Sequence, residues 1–292
     1  MLRVGLLGAT GYMGSSYCSG LVQAFHKGQL SLIILHQPTS ETSRYPPDVE
    51  RRPLDLGGDV TSIKRAIQGL NVVISAVSGR ILTQQYALID ALKDSSDLIT
   101  FFPSEYATPF TDADLTSPYL RGTAEKNKVI ERARASGVPV TVLKNATTPE
   151  LLFGMPGFSS FDPKNNRLQL YQPRGQGKRG LTSKAFSGAA LVHLLLHRLH
   201  DLPNSTFSLV ELEFSSQDLV SIFTKLHNGT TPEIEEYTEE DYHRDLQGGL
   251  MQAMRAGRTK GLATGTRWPG EKIQEFKGWE AKSLAEWIKQ FA

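Results

Sequence analysis

The chain has 292 residues, about twice a typical domain length, so one large domain with a smaller one is expected. Hydrophobic residues make up 39% and charged residues 21%, which is the balance of a globular protein and excludes a disordered or fibrous chain. A net charge of +2 is too weak for binding to nucleic acid or anionic lipid, and one cysteine excludes both a disulfide framework and a multi-cysteine metal site.

The apolar runs are too short to cross a bilayer, and the first predicted strand begins so early that no signal peptide is expected. The sequence therefore predicts a cytoplasmic protein that acts on a small molecule, with neither a membrane nor a nucleic acid as partner and no metal. A homodimer is compatible with these expectations, but the sequence does not decide the oligomeric state.

The first half of the chain alternates short β-rich runs with segments of helical periodicity, a pattern typical of β-α-β units and a parallel sheet. The predicted strands span residues 3–7, 30–35, 52–56, 71–77, 97–102 and 139–143. The predicted helices span residues 12–26, 60–68, 81–93 and 123–135. An α/β fold with a doubly wound parallel sheet is therefore expected over residues 1–150.

The alternation weakens after Asn145, where segments rich in Gly, Pro and polar residues interrupt shorter structured pieces. Here the sequence predicts helices over residues 187–200, 215–226 and 283–291, a strand over 207–214, and loops over 153–164 and 172–180. The acidic run 233–241 is interpreted as a solvated loop leading into a helix. Residues 151–292 are expected to form mainly a smaller α/β substrate-binding lobe, with some segments returning to the first domain.

A glycine-rich loop, Gly8-Ala-Thr-Gly11-Tyr-Met-Gly14, follows the first predicted strand and opens a helix. Gly8 suits a tight turn, Gly11 a close approach of the backbone to a pyrophosphate, and Gly14 close helix packing. Backbone N–H groups at the start of the helix would hold the anion. A plain turn is the alternative, but the strand-loop-helix context favours a Rossmann dinucleotide site. The predicted cofactor-binding residues of the loop are Gly8, Thr10, Gly11, Tyr12, Met13 and Gly14.

The end of the second strand distinguishes NAD from NADP, because an acidic residue there holds the ribose 2′-hydroxyl and a basic one accepts a 2′-phosphate. This position reads His36-Gln37, the first carboxylate is Glu41, and Arg44 follows. NADP(H) is therefore the predicted cofactor, with His36 and Arg44 at its phosphate. A solvated loop is the alternative for these two side chains.

The chain resembles the NmrA-like branch of the atypical short-chain dehydrogenases, near the isoflavone reductases and phenylcoumaran benzylic ether reductases. Four stretches carry the resemblance over the first 150 residues or so. They are the glycine loop, Asn71-Val-Val-Ile-Ser-Ala-Val77, Phe101-Phe-Pro-Ser-Glu-Tyr-Ala107, and Glu125-Lys-Asn-Lys-Val-Ile-Glu131 running into Gly137-Val-Pro-Val-Thr141.

The resemblance implies a Rossmann domain with a substrate lobe, NADPH as hydride donor and an aromatic or phenolic substrate. The family's catalytic lysine corresponds to Lys126, with Lys128 as the neighbouring alternative. Further cofactor-binding residues are predicted at the ends of the fourth and fifth strands, namely Ser75, Ala76, Val77, Pro103, Ser104 and Glu105. The predicted substrate-binding residues are Tyr106, Asn145 and Thr147. For Glu105 and Tyr106, a structural hydrogen-bonding role at the strand end is an equal alternative.

The chain departs from the family pattern in two places, with Ile130-Glu131 where many reductases carry two arginines and Phe186-Ser187-Gly188 where Asp-Ile-Gly is expected. It also lacks the Tyr-x-x-x-Lys pair of ordinary short-chain dehydrogenases. The predicted function is reduction by NADPH of a small aromatic, phenolic, quinone or related secondary-metabolite substrate, with Lys126 as general acid/base. The alternatives are a non-catalytic NADP-sensing regulatory protein of the NmrA type and an isomerase-like enzyme on the same fold.

Overall fold

The computed structural model describes residues 1–155, 157–172 and 175–292, without the side chain of Arg80. The strands are β1 (Arg3–Leu7), β2 (Ser31–His36), β3 (Glu50–Pro53), β4 (Val72–Ser75), β5 (Thr100–Phe102), β6 (Val142–Asn145), β7 (Phe161–Asp162), β8 (Arg167–Tyr171), β9 (Arg179–Leu181), β10 (Thr206–Leu209), β11 (Leu212–Phe214), β12 (Glu233–Tyr237) and β13 (Glu271–Ile273). The helices are α1 (Gly14–His26), α2 (Val60–Ile67), α3 (Gln85–Leu92), α4 (Arg121–Ala135), α5 (Pro149–Phe153), α6 (Lys184–His197), α7 (Ser216–Leu226), α8 (Glu239–Leu246), α9 (Leu250–Thr264) and α10 (Leu284–Lys289).

The chain divides into two compact units that are interleaved along the sequence. The first unit comprises Met1–Tyr106, Ala124–Lys144 and Ser187–Phe207. The second comprises Ala107–Thr123, Asn145–Phe186 and Ser208–Ala292. Neither unit is continuous in sequence. The division at residue 150 into a cofactor-binding domain and a substrate-binding lobe therefore stays a prediction.

The first unit is built on a sheet with strand order β3-β2-β1-β4-β5, in which every pairing is parallel. Beyond β5, Val140 forms one further parallel bridge to Phe101. The order changes direction at β1, because β2 and β3 lie on one side of it and β4 and β5 on the other. Such a switch point leaves a crevice at the carboxyl ends of the strands, where ligands of α/β proteins bind. This sheet confirms the predicted doubly wound fold.

The strands form where the sequence has short apolar runs, and β4 is buried along its whole length. Helix α2 begins after Asp59, whose side chain accepts a hydrogen bond from the backbone N–H of Ser62 at 2.9 Å. One face of the helix then buries Ile63 and Ile67 in the core of the unit. Burial of an aliphatic side chain of this size contributes about 1.5–3 kcal/mol.

The helix predicted over residues 81–93 is shorter in the structure. A 3-10 turn occupies Gly79–Gln84, and Ile81 interrupts it with a φ of −123° and a ψ of 23°. Regular α-helix starts only at Gln85. The flanking Ser78 makes no side-chain cap hydrogen bond, so the first turn has little to hold it in α geometry.

The second unit contains a small sheet of order β12-β8-β7. The sequence predicted a solvated loop at the start of the acidic run 233–241, and this prediction is wrong because β12 lies there. Residues 233–237 form β12, parallel to β8, before α8 begins at Glu239. Arg167 of β8 donates two hydrogen bonds to the Glu233 carboxylate, at 2.8 and 2.9 Å. An exposed edge strand tolerates a run of charged residues, so its composition does not differ from that of a solvated loop.

The predicted helix after Ser215 is confirmed in its bounds and in its cap. Ser215 and Asp218 form a reciprocal capping box at the start of α7. The strand predicted over 207–214 is divided in the structure into β10 and β11. In the described ranges, every helix is too short or too polar to cross a bilayer, and no cluster of three His, Cys, Asp or Glu is placed to hold a metal ion.

Candidate active site

The glycine loop connects β1 to α1 and packs against the residues that follow β4. Gly8 has a φ of +83°, and a Cβ atom there would lie 2.5 Å from the carbonyl oxygen of Ala76. A Cβ atom on Gly14 would overlap the carbonyl oxygen of Gly8. A Cβ atom on Gly11 would lie 3.3 Å from both of these oxygens, which is tight but not an overlap. The protein itself thus requires glycine at positions 8 and 14, and requires it less strictly at position 11.

The N-terminus of α1 has the features of an anion-binding helix end. Its N-cap, Met13, makes no side-chain cap hydrogen bond, and no acidic residue lies in the first turn. Thr10 and Tyr12 beside it are exposed, whereas Met13 is half-buried. The helix dipole therefore presents positive potential at an accessible end, with no acidic side chain of the first turn to neutralise it.

The loop after β2 carries the residues predicted to select the cofactor. His36 is half-buried, and its Nδ1 lies 2.9 Å from the backbone oxygen of Gln37. The Glu41 carboxylate accepts a hydrogen bond from the N–H of Ser43 at 2.8 Å, and this bond lowers the pKa of Glu41. Arg44 is exposed. The nearest acidic group along the chain is therefore engaged within its own loop.

Two side-chain hydrogen bonds join the segments that follow β4 and β5. Ser104 donates from its hydroxyl to the carbonyl oxygen of Val77 at 2.6 Å. Tyr106 donates from its phenol to the carbonyl oxygen of Ser75 at 2.8 Å, and its ring lies 4.9 Å from that of Tyr17. Burial, followed by smaller effects of Tyr17 and Glu105, raises the pKa of Tyr106 well above its ordinary value. Tyr106 therefore stays a neutral donor at physiological pH.

Glu105 is a fully buried carboxylate between two lysines at the end of β5. Its Oε1 lies 3.0 Å from the Nζ atom of Lys144 on β6, and its Oε2 lies 4.0 Å from the Nζ atom of Lys126 on α4. The side chains of Lys144 and Lys126 are 14% and 22% exposed, so neither lysine is completely buried. A buried carboxylate is costly without such partners, which explains why the chain places cations here.

The two candidate lysines of α4 have different surroundings. Lys126 faces Glu105, whereas the side chain of Lys128 is 60% exposed and pairs with Glu125 at 2.7 Å. The hydrogen bond with Glu125 raises the pKa of Lys128. Two residues along an α-helix are separated by about 200° around its axis, so both side chains cannot face the sheet.

Lys144 and Gln85 were not among the predicted site residues. Gln85 is fully buried, and its side-chain oxygen accepts a hydrogen bond from the N–H of Ser104 at 3.1 Å. A lysine next to a predicted buried strand was a usable signal for Lys144, because such a lysine needs an anionic partner. Gln85 gave no signal, since a glutamine in a helix is ordinarily solvated.

The predicted residues Asn145 and Thr147 belong to the second unit, and both are almost completely buried. The Thr147 hydroxyl lies 3.0 Å from that of Thr108 and accepts a hydrogen bond from Arg179 Nη2 at 3.1 Å. Thr147 is therefore part of a polar network within that unit, which contains a buried arginine.

Comparisons with known proteins agree with this architecture. The model of the NmrA-like family matches residues 2–260. Phenylcoumaran benzylic ether reductase 1 of Arabidopsis thaliana is 27% identical over 147 residues, which cover 48% of this chain and 46% of that protein. The match thus spans about half the length of this curated relative.

Solved structures resemble the chain over nearly its whole length. An isoflavone reductase superposes with a TM-score of 0.78 at 18% identity, and 99% of each chain is covered. The leucoanthocyanidin reductase of Vitis vinifera, determined as a binary complex with NADPH, superposes with a TM-score of 0.76 at 18% identity and the same coverage. At this identity the likeness shows the fold. Together with the family match over most of the sequence, it shows that this chain belongs to the NmrA-like family.

Proposed function

We propose that this chain is an NADPH-dependent reductase of a small aromatic, phenolic or quinone substrate, with Lys126 as general acid/base. The observation that carries the proposal is the contact of the half-buried Lys126 with the buried Glu105 at the end of β5, whereas Lys128 lies in solvent. A lysine required only for solubility has no reason to face a buried carboxylate at the ligand-binding edge of the sheet.

The residues around the switch point fit a dinucleotide. The glycine loop and the start of α1 would hold the pyrophosphate, and His36 and Arg44 would receive a 2′-phosphate. The segments Ser75–Val77 and Pro103–Glu105 would line the nicotinamide side. Gly11 supports the fit. The protein itself disfavours a side chain at this position only mildly, so a bound pyrophosphate is the stronger reason for a glycine there.

In this proposal the bound cofactor supplies the hydride, and the chain positions the substrate and moves the proton. Lys126 would exchange a proton at its Nζ atom with the phenolic or carbonyl oxygen of the substrate. Glu105 holds that amine in place, and Lys144 balances the carboxylate so that Lys126 is not its only cation. Within the first unit, Tyr106 is the proposed substrate contact. Asn145 and Thr147, in the second unit, remain predicted substrate-binding residues.

The test is consumption of NADPH, followed by its absorbance, against a panel of phenolic, quinone and enone compounds. We expect turnover of at least one compound and transfer of deuterium from C4-deuterated NADPH into the product. The Lys128→Ala variant serves as the control and should retain activity. Tight NADPH binding without turnover of any compound would instead identify a sensor and contradict the proposal.

A further inference from the structure

A cavity of about 860 Å³ lies within the second unit, and the proposed reaction does not explain its chemistry. Residues that line it include Phe110, Asp114, Arg179, Arg258, Arg267 and Trp268. Arg179 is 2% exposed and Arg258 is 7% exposed. Arginines are almost never this deeply buried without a specific anionic or hydrogen-bonding environment. Two of them on one cavity wall therefore require an explanation.

The hydrogen bonds of Arg179 leave part of its guanidinium unused. Its Nη2 donates to the Thr147 hydroxyl at 3.1 Å, and its Nη1 donates to the backbone carbonyl of Arg258. Its Nε is buried and has no hydrogen-bond acceptor among residues 1–155, 157–172 and 175–292. Burial, followed by the nearby Arg258 cation, lowers the pKa of Arg179 well below its ordinary value, against the opposing effect of Asp114. The cation is thus electrostatically destabilised where it stands.

Asp114 is the buried carboxylate on the same wall, and its oxygens are already engaged. Its Oδ1 accepts a hydrogen bond from the Tyr242 phenol at 2.8 Å. Its Oδ2 accepts bonds from the backbone N–H and the hydroxyl of Thr111, both at 2.7 Å. The described residues that line the cavity include three arginines (Arg179, Arg258 and Arg267) and two aspartates (Asp112 and Asp114), which is one positive charge more than negative charges. A ligand with one negative charge would balance this difference.

The rest of the wall is aromatic. Phe110 and Trp268 line the cavity, and the Arg258 guanidinium lies 4.0 Å from the centre of the Phe158 ring and 5.9 Å from that of Phe110. A guanidinium is planar by resonance, and stacking on an aromatic ring fixes the orientation of that plane. A fixed guanidinium plane suits the paired oxygens of a carboxylate, while the neighbouring rings suit a flat apolar body.

We infer that this cavity binds an aromatic monocarboxylate, held at its carboxylate by Arg179 and Arg258 and at its ring by Phe110 and Trp268. The inference concerns binding within the second unit, and it is independent of the proposed reductase function. A phosphate ester fits less well, because its charge of about −1.5 to −2 at neutral pH exceeds the single surplus charge.

The first test measures binding to the full chain by calorimetry without cofactor, using benzoate, benzamide and inorganic phosphate. We expect benzoate to bind at least tenfold more tightly than benzamide, which has the same shape without the charge. Equal affinity of benzoate and benzamide, or tighter binding of phosphate than of benzoate, would overturn the inference.

The second test is Arg258→Met, which keeps most of the side-chain volume and removes the charge. We expect benzoate affinity to fall at least tenfold while the melting temperature is unchanged or higher, because the surplus buried charge is removed. A structural arginine would give the opposite result, namely a lower melting temperature and an unchanged ratio of benzoate to benzamide affinity. Arg134→Met, at an exposed position of α4 that does not line the cavity, is the matched control.

Arg258→Lys covers the case in which Arg258→Met does not fold. It keeps the charge but loses the planar pair of donors, so benzoate affinity should fall while the melting temperature is retained; unchanged affinity would contradict the inference.

The experiments distinguish failure of the proposed reductase function from failure of the proposed binding cavity. A protein that binds benzoate but never oxidises NADPH refutes the reductase and not the cavity. A reductase that turns over only uncharged substrates and does not bind benzoate refutes the cavity and not the reductase.

Discussion

At the scale of single residues, the assignment of the catalytic lysine to Lys126 or to Lys128 depends on which face of α4 each residue occupies. The two lysines are only two positions apart, so the resemblance to the reductases alone does not decide which of them corresponds to the family's catalytic lysine. In the structure, Lys126 contacts Glu105 and Lys128 contacts Glu125. The surroundings of the two amines, rather than their sequence context, favour Lys126.

Replacement of Lys126 by alanine should lower turnover by about 10²–10⁴, the usual contribution of one positioned acid/base group, and change NADPH affinity only a few-fold. Steady-state kinetics on the best substrate of the panel, with fluorescence titration of NADPH, measures both effects. Lys128→Ala should behave like the wild type. Unchanged turnover in Lys126→Ala would make this lysine a structural partner of Glu105 and nothing more.

Tyr106 gives a prediction about pH. Because its pKa is raised in the folded protein, the folded state keeps a proton that the unfolded state loses above about pH 10. The stabilisation from this effect is complete below pH 10 and disappears as the pH rises further through the folded pKa.

Tyr106→Phe should therefore show a shallower loss of stability above about pH 10 than the wild type. At neutral pH the variant should lose about 1 kcal/mol of unfolding free energy, because the hydrogen bond to the Ser75 carbonyl is gone. Urea denaturation between pH 7 and pH 11 measures both quantities. Parallel pH profiles of the two proteins would show that Tyr106 titrates normally.

At the scale of elements, the glycine loop combines two kinds of constraint. Gly8 and Gly14 are required by contacts inside the protein, with Ala76 and with each other. Gly11 is required mainly by the proposed ligand. The interlock between the loop and the residue after β4 fixes the walls of the crevice at the switch point.

Gly11→Val should leave the fold intact and raise the dissociation constant of NADPH at least tenfold, because the side chain would stand where the pyrophosphate is proposed to lie. Circular dichroism and calorimetry measure the fold and the affinity. Gly122→Val is the control, since a Cβ atom there meets nothing within 4 Å. A folded Gly11→Val protein with wild-type affinity would show that the loop is only a turn.

At the scale of the whole molecule, cofactor binding should appear as added stability. A ligand that binds only the folded state at a hundred times its dissociation constant contributes about 2.7 kcal/mol. Helix α1 and the loop after β2 supply the proposed contacts, and Glu41 is engaged within its own loop by Ser43.

NADPH should therefore stabilise the chain more than NADH at equal concentration, with at least a tenfold difference in affinity, or about 1.4 kcal/mol. Thermal unfolding with each dinucleotide, and calorimetry at low and high salt, measures the preference. The advantage of NADPH should shrink at high salt, because the proposed phosphate contacts of His36 and Arg44 are solvent-accessible. Equal affinities would refute the assignment of NADP.

The sequence by itself determined the features that depend on local patterns. The apolar run over residues 71–77 predicts a buried parallel strand, which the structure has at Val72–Ser75. Ser215 with Asp218 predicts a capped helix, because both signals act within a few residues. The glycine loop can likewise be predicted from the sequence, because the spacing of its glycines reflects the turn after β1 and the start of α1. Local patterning was wrong where charged residues form an edge strand, at β12, and where a 3-10 turn replaces the start of the helix predicted over residues 81–93. It also predicted one strand over residues 207–214, where the structure has β10 and β11.

Only the tertiary structure decided which distant residues meet. Lys144 reaches Glu105 across 39 positions of sequence, and Arg179 and Arg258 share one cavity although 79 positions separate them. The position of Lys144 beside a predicted buried strand indicates that it needs an anionic partner, but the sequence does not identify Glu105 as that partner. Arg179 and Arg258 appear in the sequence as ordinary charged residues. Burial makes an unbalanced charge costly, and it is a property of the assembled unit rather than of any segment.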